Sequence, residues 1–388
     1  MGGYRRRRGF AIAVVVVGLA AVVYLVVHLS ISRSPATRHP SASNSTATAS
    51  PSGSTGYRTL GNQIIGPDGR SFLPYGITVF GLAYPHWQQR VSSDEDQIRA
   101  TAQYWHGNTV RLMIAPTNLL QNNLPDNRHF MRAIRREVST AESYGLNVIL
   151  TAQYERTTKL RMPDSSTLRF WRILAARYKG DDRVWFDLFN EPQLSPKTAG
   201  GMASLWNIWL NGGDGYIGMQ NLVYAIRGLG ADNLILAEGV QGAETLNGLL
   251  PDHLLTGSNI AYAVHPFFKG RQWDSPDDWT ANWGAQSSTV PVVADAWAES
   301  QKPGGSCTPS APTLVPVFLQ YLSTHDIGLI AWGLIPGVLV QGSNLAEPTS
   351  FSPTTPYTCG NLPSNSTPQG AGQLVQAFFA AKSRPPPM

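Results

Sequence analysis

The chain has 388 residues, of which 42% are hydrophobic and 14% are charged. This length and composition allow a large buried core in one or two domains and exclude a disordered protein. The formal net charge is +5, but six of the 30 lysines and arginines lie in residues 1–56, which contain no acidic residue. Residues 57–388 therefore carry 24 basic against 25 acidic residues. Because nucleic-acid binding needs a basic face on the folded part, we expect no nucleic-acid partner.

An apolar segment near the N-terminus predicts membrane insertion. Residues 10–27 are uncharged and rich in Val, Ala and Leu, and the cluster Arg5 to Arg8 comes directly before them. With the apolar residues that follow, the segment is long enough to cross a hydrocarbon core of about 30 Å. An arginine cluster favours the cytoplasmic side of a membrane. We therefore predict a cytoplasmic basic tail at 1–9 and a single-pass transmembrane signal anchor at 10–31, with the remaining chain extracellular.

A cleaved signal peptide is the alternative interpretation of residues 10–31, and it would make the protein secreted. Signal peptides have an apolar region of about 7 to 15 residues, which is followed by a small-residue cleavage site. The segment in this chain is longer, and no clear cleavage site follows it. We therefore favour the anchor.

Residues 32–56 are dominated by Ser, Thr, Pro and Ala. A segment of this composition buries too little apolar surface to offset its ordering entropy, so we expect a flexible or semi-extended linker. The linker would separate the membrane from a globular domain at residues 57–388.

The chain contains two cysteines, Cys307 and Cys359, and both lie in Pro-, Ser- and Gly-rich sequence. In an oxidising compartment we expect a disulfide, which would close a loop of about fifty residues and stabilise the fold by about 4 kcal/mol. Two free, buried thiols are the alternative. No His-x-x-x-His or Cys-x-x-Cys spacing occurs, so we expect neither a metal nor another cofactor.

From residue 57 onwards, short apolar runs alternate with helical patterns. The turn sequence at residues 66–69 predicts a small N-terminal hairpin between 63–65 and 71–73. The predicted parallel strands are residues 74–77, 109–114, 148–151, 184–188, 234–237, 260–264, 292–295 and 329–332. The predicted helices between them are residues 94–104, 130–144, 166–178, 216–229 and 313–323.

Strands that alternate with helices in this way indicate βαβ units and a parallel sheet. Eight such units predict an α/β fold of the (β/α)8 TIM-barrel type. An open doubly wound sheet is the weaker alternative, because it would also call for a Gly-rich phosphate loop, which we do not find.

Polar and aromatic side chains close most of the predicted strands. In a (β/α)8 barrel the chemistry lies at the C-terminal ends of the strands, so these side chains are expected to share one site. Taken singly, each has an ordinary structural explanation, such as an ion pair or core packing. Together they form the candidate site: Arg111, Gln153, Asn190, Glu191, His265, Asp295 and Trp332.

Glu191 is the leading candidate for catalysis. It follows the apolar run 184–189 and stands between Asn190 and Pro192, which cannot continue a strand ladder. Burial at the mouth of a strand can raise the pKa of a carboxyl group, as a general acid near neutral pH requires. A strand-end glutamate that faces solvent is the alternative.

In content and order these motifs resemble glycoside hydrolase family 5, the cellulase-type retaining glycosidases with a (β/α)8 barrel. The resemblance covers most of residues 57–388 and includes Asn-x-Val-Arg at 108–111, Asn-Glu-Pro at 190–192 and His-Pro at 265–266. It implies that Glu191 is the general acid/base and that Arg111 and Asn190 hold the nucleophile and the sugar 2-hydroxyl. It further implies that His265 lines the glycone subsite, that Trp332 stacks on sugar and that Gln153 binds substrate in place of a family histidine.

The chain departs from the family pattern at the nucleophile. The family has a glutamate at the end of strand seven, before an aromatic residue, whereas alignment on Trp297 places Ala296 there. Asp295 is the nearest carboxylate, but neighbouring strand residues point to opposite faces, so its use requires a β-bulge. Glu299 is a second candidate if its loop folds back. Phe267 also stands where the family has a tyrosine that serves the nucleophile.

The sequence therefore predicts a membrane-anchored extracellular glycoside hydrolase or transglycosidase that acts on O-glycosidic bonds of a β-linked polysaccharide or oligosaccharide. Glu191 would be the acid/base and Asp295 the second carboxylate. The alternative is a catalytically impaired family member that binds a cell-surface glycan without hydrolysing it. The sugar, the linkage and the oligomeric state stay open at this point.

Overall fold

The computed structural model of the protein describes residues 56–84, 92–120, 128–153, 162–213, 215–268, 274–301, 307–360 and 366–383. The predicted tail at 1–9, the predicted anchor at 10–31 and nearly all of the predicted linker at 32–56 lie outside these residues. Within the described ranges, no helix has both the length and the apolar character that crossing a bilayer would take.

Eight parallel strands close into a barrel, as predicted. The strands are β1 (Tyr75–Val79), β2 (Thr109–Ile114), β3 (Asn147–Ala152), β4 (Val184–Asp187), β5 (Ile235–Glu238), β6 (Ile260–Val264), β7 (Val292–Trp297) and β8 (Gly328–Ala331). Each strand pairs with the next along the chain, and β8 pairs with β1. The strands are buried along their whole length, which explains why they appear in the sequence as continuous apolar runs.

Helices surround the barrel. The five predicted helices are observed as Asp94–Gln103, Arg128–Ser143, Ser165–Tyr178, Met219–Arg227 and Ala311–Thr324. The others in the described ranges are Pro116–Leu120, Pro196–Ala199, Met202–Asn211, Val240–Ala243, Pro276–Asn282 and Gly372–Ser383. The fourth predicted helix begins later than expected because Tyr216–Ile217 instead pairs antiparallel with Gly212–Gly213.

The predicted N-terminal hairpin is present in short form, since the Phe72 N–H donates to the Ile64 carbonyl at 2.7 Å, and a further strand precedes it. Arg58–Leu60 pairs antiparallel with Gln63–Ile65, whereas the predicted second strand makes a single bridge from Ser71 to Ile65. The turn that follows Ile65 is wide, since the Gly66 N–H donates to the Arg70 carbonyl at 2.8 Å. Only a few residues lie between Ser71 and the start of β1 at Tyr75, so the pairing with Gln63–Ile65 stays short.

This N-terminal segment closes the lower end of the barrel. The Tyr57 and Phe72 rings pack edge-on against Trp185, with ring centroids 5.1 and 5.7 Å from the indole. Together with Ile64 they cover a second apolar cluster inside the barrel. The opposite end, where the strands finish, is the end that carries the polar side chains.

A β-bulge interrupts β7, as the use of Asp295 requires. Ala294 pairs with Leu329 of β8, but the next paired residue of β7 is Trp297, which lies opposite Ala331. Three residues of β7 therefore advance alongside two residues of β8. Asp295 faces the barrel interior as Val293 does, and the extra residue lets Trp297 face outward as Ala294 does. The Trp297 ring packs against Phe318 with centroids 4.7 Å apart.

The predicted disulfide between Cys307 and Cys359 is confirmed. It links the segment that follows β7 to the segment that precedes the helix Gly372–Ser383. The Cys307 Sγ also lies 3.5 Å from the hydroxyl of Tyr357, so the bond is part of a partly buried loop contact.

Candidate active site

Arg111 of β2 lies at the centre of the site and is completely buried. Its Nη2 is 2.7 Å from Asp187 Oδ2, 2.8 Å from Asn190 Oδ1 and 2.6 Å from Glu238 Oε1. Its Nε is 3.3 Å from Asp295 Oδ2. Burial alone would lower the pKa of Arg111, but the three surrounding carboxyl groups raise it above its usual value. The guanidinium therefore stays charged and joins β2, β4, β5 and β7.

Asp187 of β4 accepts hydrogen bonds from both Nε and Nη2 of Arg111 at its Oδ2, at 3.2 and 2.7 Å. Burial raises its pKa well above the usual range, and the nearby charge of Glu238 raises it further, against the opposing effect of Arg111. Asp187 and Glu238 are both completely buried. The Asp187 carboxyl group therefore binds a proton more readily than an exposed aspartate does.

His265 lies between carboxylates on both edges of its ring. Nδ1 is 3.2 Å from Glu191 Oε1, while Nε2 is 3.2 Å from Asp295 Oδ1 and 3.4 Å from Glu238 Oε1. Burial would lower the pKa of His265, but the carboxylates of Glu238 and Asp295 outweigh it and raise the pKa well above its ordinary value. The ring is therefore an imidazolium near neutral pH.

Glu191 is the clustered carboxylate that reaches solvent, since 35% of its side chain is exposed. Its Oε2 accepts a hydrogen bond from Gln193 Nε2 at 3.1 Å, and its backbone N–H donates to Glu238 Oε2 at 2.5 Å. Its φ of +53° is a left-handed conformation that costs a residue with a side chain about 1 to 3 kcal/mol. The structure therefore holds this side chain in place against a local preference.

The expectation of a raised pKa for Glu191 is wrong for the free protein. Burial does raise the pKa, but the hydrogen bond and charge of His265, together with the charge of Arg111, outweigh burial and lower it. The prediction considered the strand end alone, whereas a cationic ring from β6 lies directly beside the carboxyl group. Glu191 is therefore a carboxylate at rest.

The structure brings five of the predicted site residues into one network: Arg111, Asn190, Glu191, His265 and Asp295. The other two, Gln153 and Trp332, each contact a residue that follows β1. Gln153 donates from Nε2 to the Tyr84 hydroxyl at 2.9 Å. Trp332 is half-buried and stacks on Phe80, with ring centroids 5.7 Å apart and planes inclined by 16°.

Glu299, the other candidate for the second carboxylate, belongs to a different contact. It is completely buried, and its Oε1 accepts hydrogen bonds from the Thr308 N–H and the Tyr357 hydroxyl, both at 2.8 Å. Burial raises the pKa of Glu299 to about 8. These partners lie beside the disulfide, so the carboxyl group holds loops together. No contact between it and Glu191 is seen in the described ranges.

Sequence reasoning missed Asp187 and Glu238. Both follow apolar residues at the end of a strand, which is the same signal that selected Glu191 and Asp295. Glu238 was overlooked because the predicted fifth strand stopped at residue 237. Asp187 was taken as part of an apolar run.

Three side chains in the site could, by their chemistry, hold a metal ion. Ligand atoms of Glu238, His265 and Asp295 lie within 4.8 Å of one another. The guanidinium of Arg111 already lies 2.6 Å from Glu238 and 3.3 Å from Asp295, and a divalent ion there would meet its positive charge. The carboxyl groups of Glu238 and Asp295 are therefore better matched to the guanidinium of Arg111 than to a metal ion.

A closed (β/α)8 barrel with an Asn-Glu pair after β4 and a tryptophan after β8 defines a glycosidase-type barrel. Residues 68–337 match the family described as cellulase, glycosyl hydrolase family 5. The chain belongs to this family, and the resemblance drawn from the sequence is confirmed. No curated protein matches the chain by sequence.

Solved structures share the fold. The β-glucanase SdGluc5_26A from Saccharophagus degradans, in complex with cellotetraose, is 20% identical with a TM-score of 0.64, over 84% of this chain and 94% of that one. The catalytic domain of endoglucanase Cel5A from Thermobifida fusca is 16% identical with a TM-score of 0.57, over 84% of this chain and 97% of that one. At these identities the likeness shows the fold alone.

Replacing Arg111 by lysine tests the central role of the guanidinium. An ammonium group keeps the charge but cannot reach all four partners, so buried carboxyl groups would lose hydrogen-bond donors. We expect Arg111→Lys to lower the free energy of unfolding by about 3 kcal/mol or more, measured by urea unfolding.

Arg136→Lys is the matched control, because Arg136 pairs with Glu95 at 2.6 Å on the surface, with side chains 66% and 37% exposed. Its effect should stay below about 1 kcal/mol. Equal, small effects of the two substitutions would show that the guanidinium does not hold the buried carboxyl groups together.

Proposed function

We propose that this protein hydrolyses O-glycosidic bonds of β-linked glucan chains, with Glu191 as the general acid/base. One observation carries the proposal. Of four carboxyl groups gathered at the strand ends, Asp187, Glu238 and Asp295 are completely buried, and Glu191 alone among them is substantially exposed. A general acid has to reach the bridging oxygen of a polymer that stays in solvent.

The charge of the site suits the reaction. Glycoside hydrolysis passes through a transition state that resembles an oxocarbenium ion and therefore carries positive charge on the sugar. Ionised Glu191 and the anionic groups beneath it provide a preorganised negative field without any rearrangement. His265 and Arg111 prevent these groups from repelling one another.

Aromatic packing and the relatives support a glucan substrate. The Trp332 indole is fixed on one face by Phe80 and stays partly exposed, as expected of a platform for the apolar face of a sugar ring. Two structures of family-like folds, the β-glucanase and the Cel5A domain, were solved with cellotetraose. We therefore assign β-glucans as the substrate class.

We propose Asp295 as the second carboxylate. Asp295 faces the barrel interior, where it contacts Arg111 and His265, and a bulge lies beside it in β7. Asp295 and Glu191 contact opposite nitrogens of the same imidazole ring. A separation of roughly 5 to 5.5 Å would favour retention of configuration and roughly 6.5 to 9.5 Å would favour inversion, which NMR of the first product anomer distinguishes.

A glycan-binding protein without hydrolytic activity is the second candidate. The observation in its favour is that Asp295 is completely buried and paired with two cations, whereas a second carboxylate has to approach the sugar or a water molecule. In this case the purified chain would bind cello-oligosaccharides and release no reducing sugar.

Replacing Glu191 by glutamine tests the acid/base role. We expect Glu191→Gln in the full-length chain, purified in detergent, to lower release of reducing ends from β-glucan by at least about 100-fold, because the amide cannot transfer a proton. Cellotetraose binding, measured by calorimetry, should persist. Glu347→Gln is the control, since Glu347 is exposed, and it should leave turnover unchanged. Undiminished turnover in Glu191→Gln would refute the assignment.

Replacing Asp295 by asparagine tests the second carboxylate. If Asp295 acts on the sugar or on water, Asp295→Asn should reduce turnover by about 1,000-fold or more. The thermal melting curve would show that the variant is folded. Asp326→Asn removes an exposed carboxylate at the other end of the barrel and should have no effect on turnover. Near-normal activity of folded Asp295→Asn would exclude this role.

We further propose that residues 10–31 anchor the enzyme as a single-pass protein with residues 57–388 outside the cell. The support is the arginine cluster before an apolar segment and the Ser-, Thr- and Pro-rich linker after it. After alkaline carbonate extraction of cells that express the full chain, we expect the protein in the membrane pellet. Its complete release into the soluble fraction or the medium would instead support a cleaved signal peptide.

A further inference from the structure

Glu238 connects the acid/base to the rest of the site in two ways. It is the last residue of β5 and is completely buried. Its Oε2 accepts the backbone N–H of Glu191 at 2.5 Å. Its Oε1 lies 2.6 Å from Arg111 Nη2 and 3.4 Å from His265 Nε2. One carboxylate therefore contacts both the backbone of Glu191 and the ring that contacts the side chain of Glu191.

The first connection fixes a conformation. Glu191 has a φ of +53°, which residues with a side chain rarely adopt unless their surroundings impose it. The hydrogen bond from its N–H to Glu238 is available in this conformation and satisfies a donor at the buried base of the site. Without that acceptor, the backbone of Glu191 would be free to relax and turn the carboxylate away from the sugar.

The second connection fixes a proton. Both ring nitrogens of His265 face carboxylate oxygens, Glu191 on one edge and Glu238 with Asp295 on the other. Nδ1 is hydrogen-bonded to Glu191, and two further carboxyl groups lie within 3.4 Å of Nε2, so the surroundings favour a charged ring with hydrogen on both nitrogens. Glu191 itself accepts from His265 at Oε1 and from Gln193 at Oε2, which is the pattern of an ionised group. At rest the proton is therefore on the ring and not on Glu191.

We propose that Glu238 is a positioning residue that fixes the backbone of Glu191 and, with Asp295, keeps on His265 the proton that Glu191 delivers to the leaving oxygen. This inference rests on the hydrolysis proposed above. The proton moves from His265 Nδ1 to Glu191 Oε1 and then to the glycosidic oxygen as its bond to the anomeric carbon breaks. When Asp295 is the nucleophile, its oxygen bonds to that carbon as the leaving oxygen departs. Water then breaks this new bond, giving its hydroxyl to the carbon and its other proton to the pair of Glu191 and His265.

Glu238→Gln tests both connections. Glutamine has one acceptor oxygen, so it cannot accept from both Arg111 and the Glu191 N–H, and it removes the negative charge beside His265. We expect kcat on β-glucan to fall about 100-fold with little change in KM. The basic limb of the kcat/KM profile should move to lower pH by about 1 to 3 units, because the ring loses an anionic partner and releases its proton more readily.

Glu238→Asp separates the two connections. Aspartate keeps the charge but is shorter by one methylene group, so it no longer reaches the Glu191 N–H. We expect a lowered kcat with the basic limb near its wild-type position. Glu137→Gln is the control for the loss of a buried carboxyl group, because Glu137 is 3% exposed and lies on the outer helix Arg128–Ser143. It should leave the pH profile unchanged.

Nitrogen NMR of the histidine side chains tests the proton without any substrate. The signal of His265, identified by its loss in His265→Gln, should be that of an imidazolium near neutral pH in the wild type and should titrate at lower pH in Glu238→Gln. A neutral His265 in the wild type would overturn the proposal, as would an unshifted titration and pH profile in Glu238→Gln. If Glu238→Gln does not fold, the proposal is tested by the charge state of His265 in the wild type and by the kcat of Glu238→Asp. Absence of glucan hydrolysis by the wild type would refute the proposed function and leave the NMR result standing.

Discussion

The site is organised around one buried positive charge. A guanidinium without contact to water is tolerated in a protein only where anionic partners and hydrogen bonds replace its hydration. Arg111 obtains these partners from β4, β5 and β7. Neutralising the cluster therefore requires these strands to end at the same level, so closure of the barrel and assembly of the site are parts of one arrangement.

The same arrangement explains the unusual state of Glu191. Its backbone is held in a left-handed conformation by an oxygen of Glu238, whose other oxygen is held by Arg111. Its carboxylate faces His265, which is cationic because of the anions below it. The exposed group is thus kept in its orientation and charge by side chains that do not reach solvent. Changes in the interior of the barrel should affect catalysis as strongly as changes in the cleft.

Much of the fold could be predicted from the sequence because its strands are buried on both faces. Such strands form continuous apolar runs, and all eight runs correspond to observed strands, although their bounds shift by a residue or two. Asn190, Glu191 and His265 could be predicted because a polar residue after an apolar run is conspicuous in a barrel, and Arg111 because a charge stands inside an apolar strand. Glu238 was missed for a simple reason, namely that the apolar run before it was ended one residue too early.

Other features depend on contacts that a linear pattern does not contain. The bulge in β7 arises from pairing with β8, and Val292 to Trp297 shows no sign of where the extra residue lies. The direction of the pKa shift of Glu191 depends on a histidine that is distant along the chain. The strand Arg58–Leu60, which pairs with Gln63–Ile65 beside the predicted hairpin, has no marked apolar alternation in the sequence.

The bond between Cys307 and Cys359 makes the stability of one rim of the barrel depend on redox conditions. The segments that it joins also share the contact of Glu299 with Thr308 and Tyr357. In a reducing environment these two stretches would be held only by non-covalent interactions around a carboxyl group that burial makes reluctant to ionise. The covalent link across this rim of the barrel therefore depends on oxidation of the two thiols.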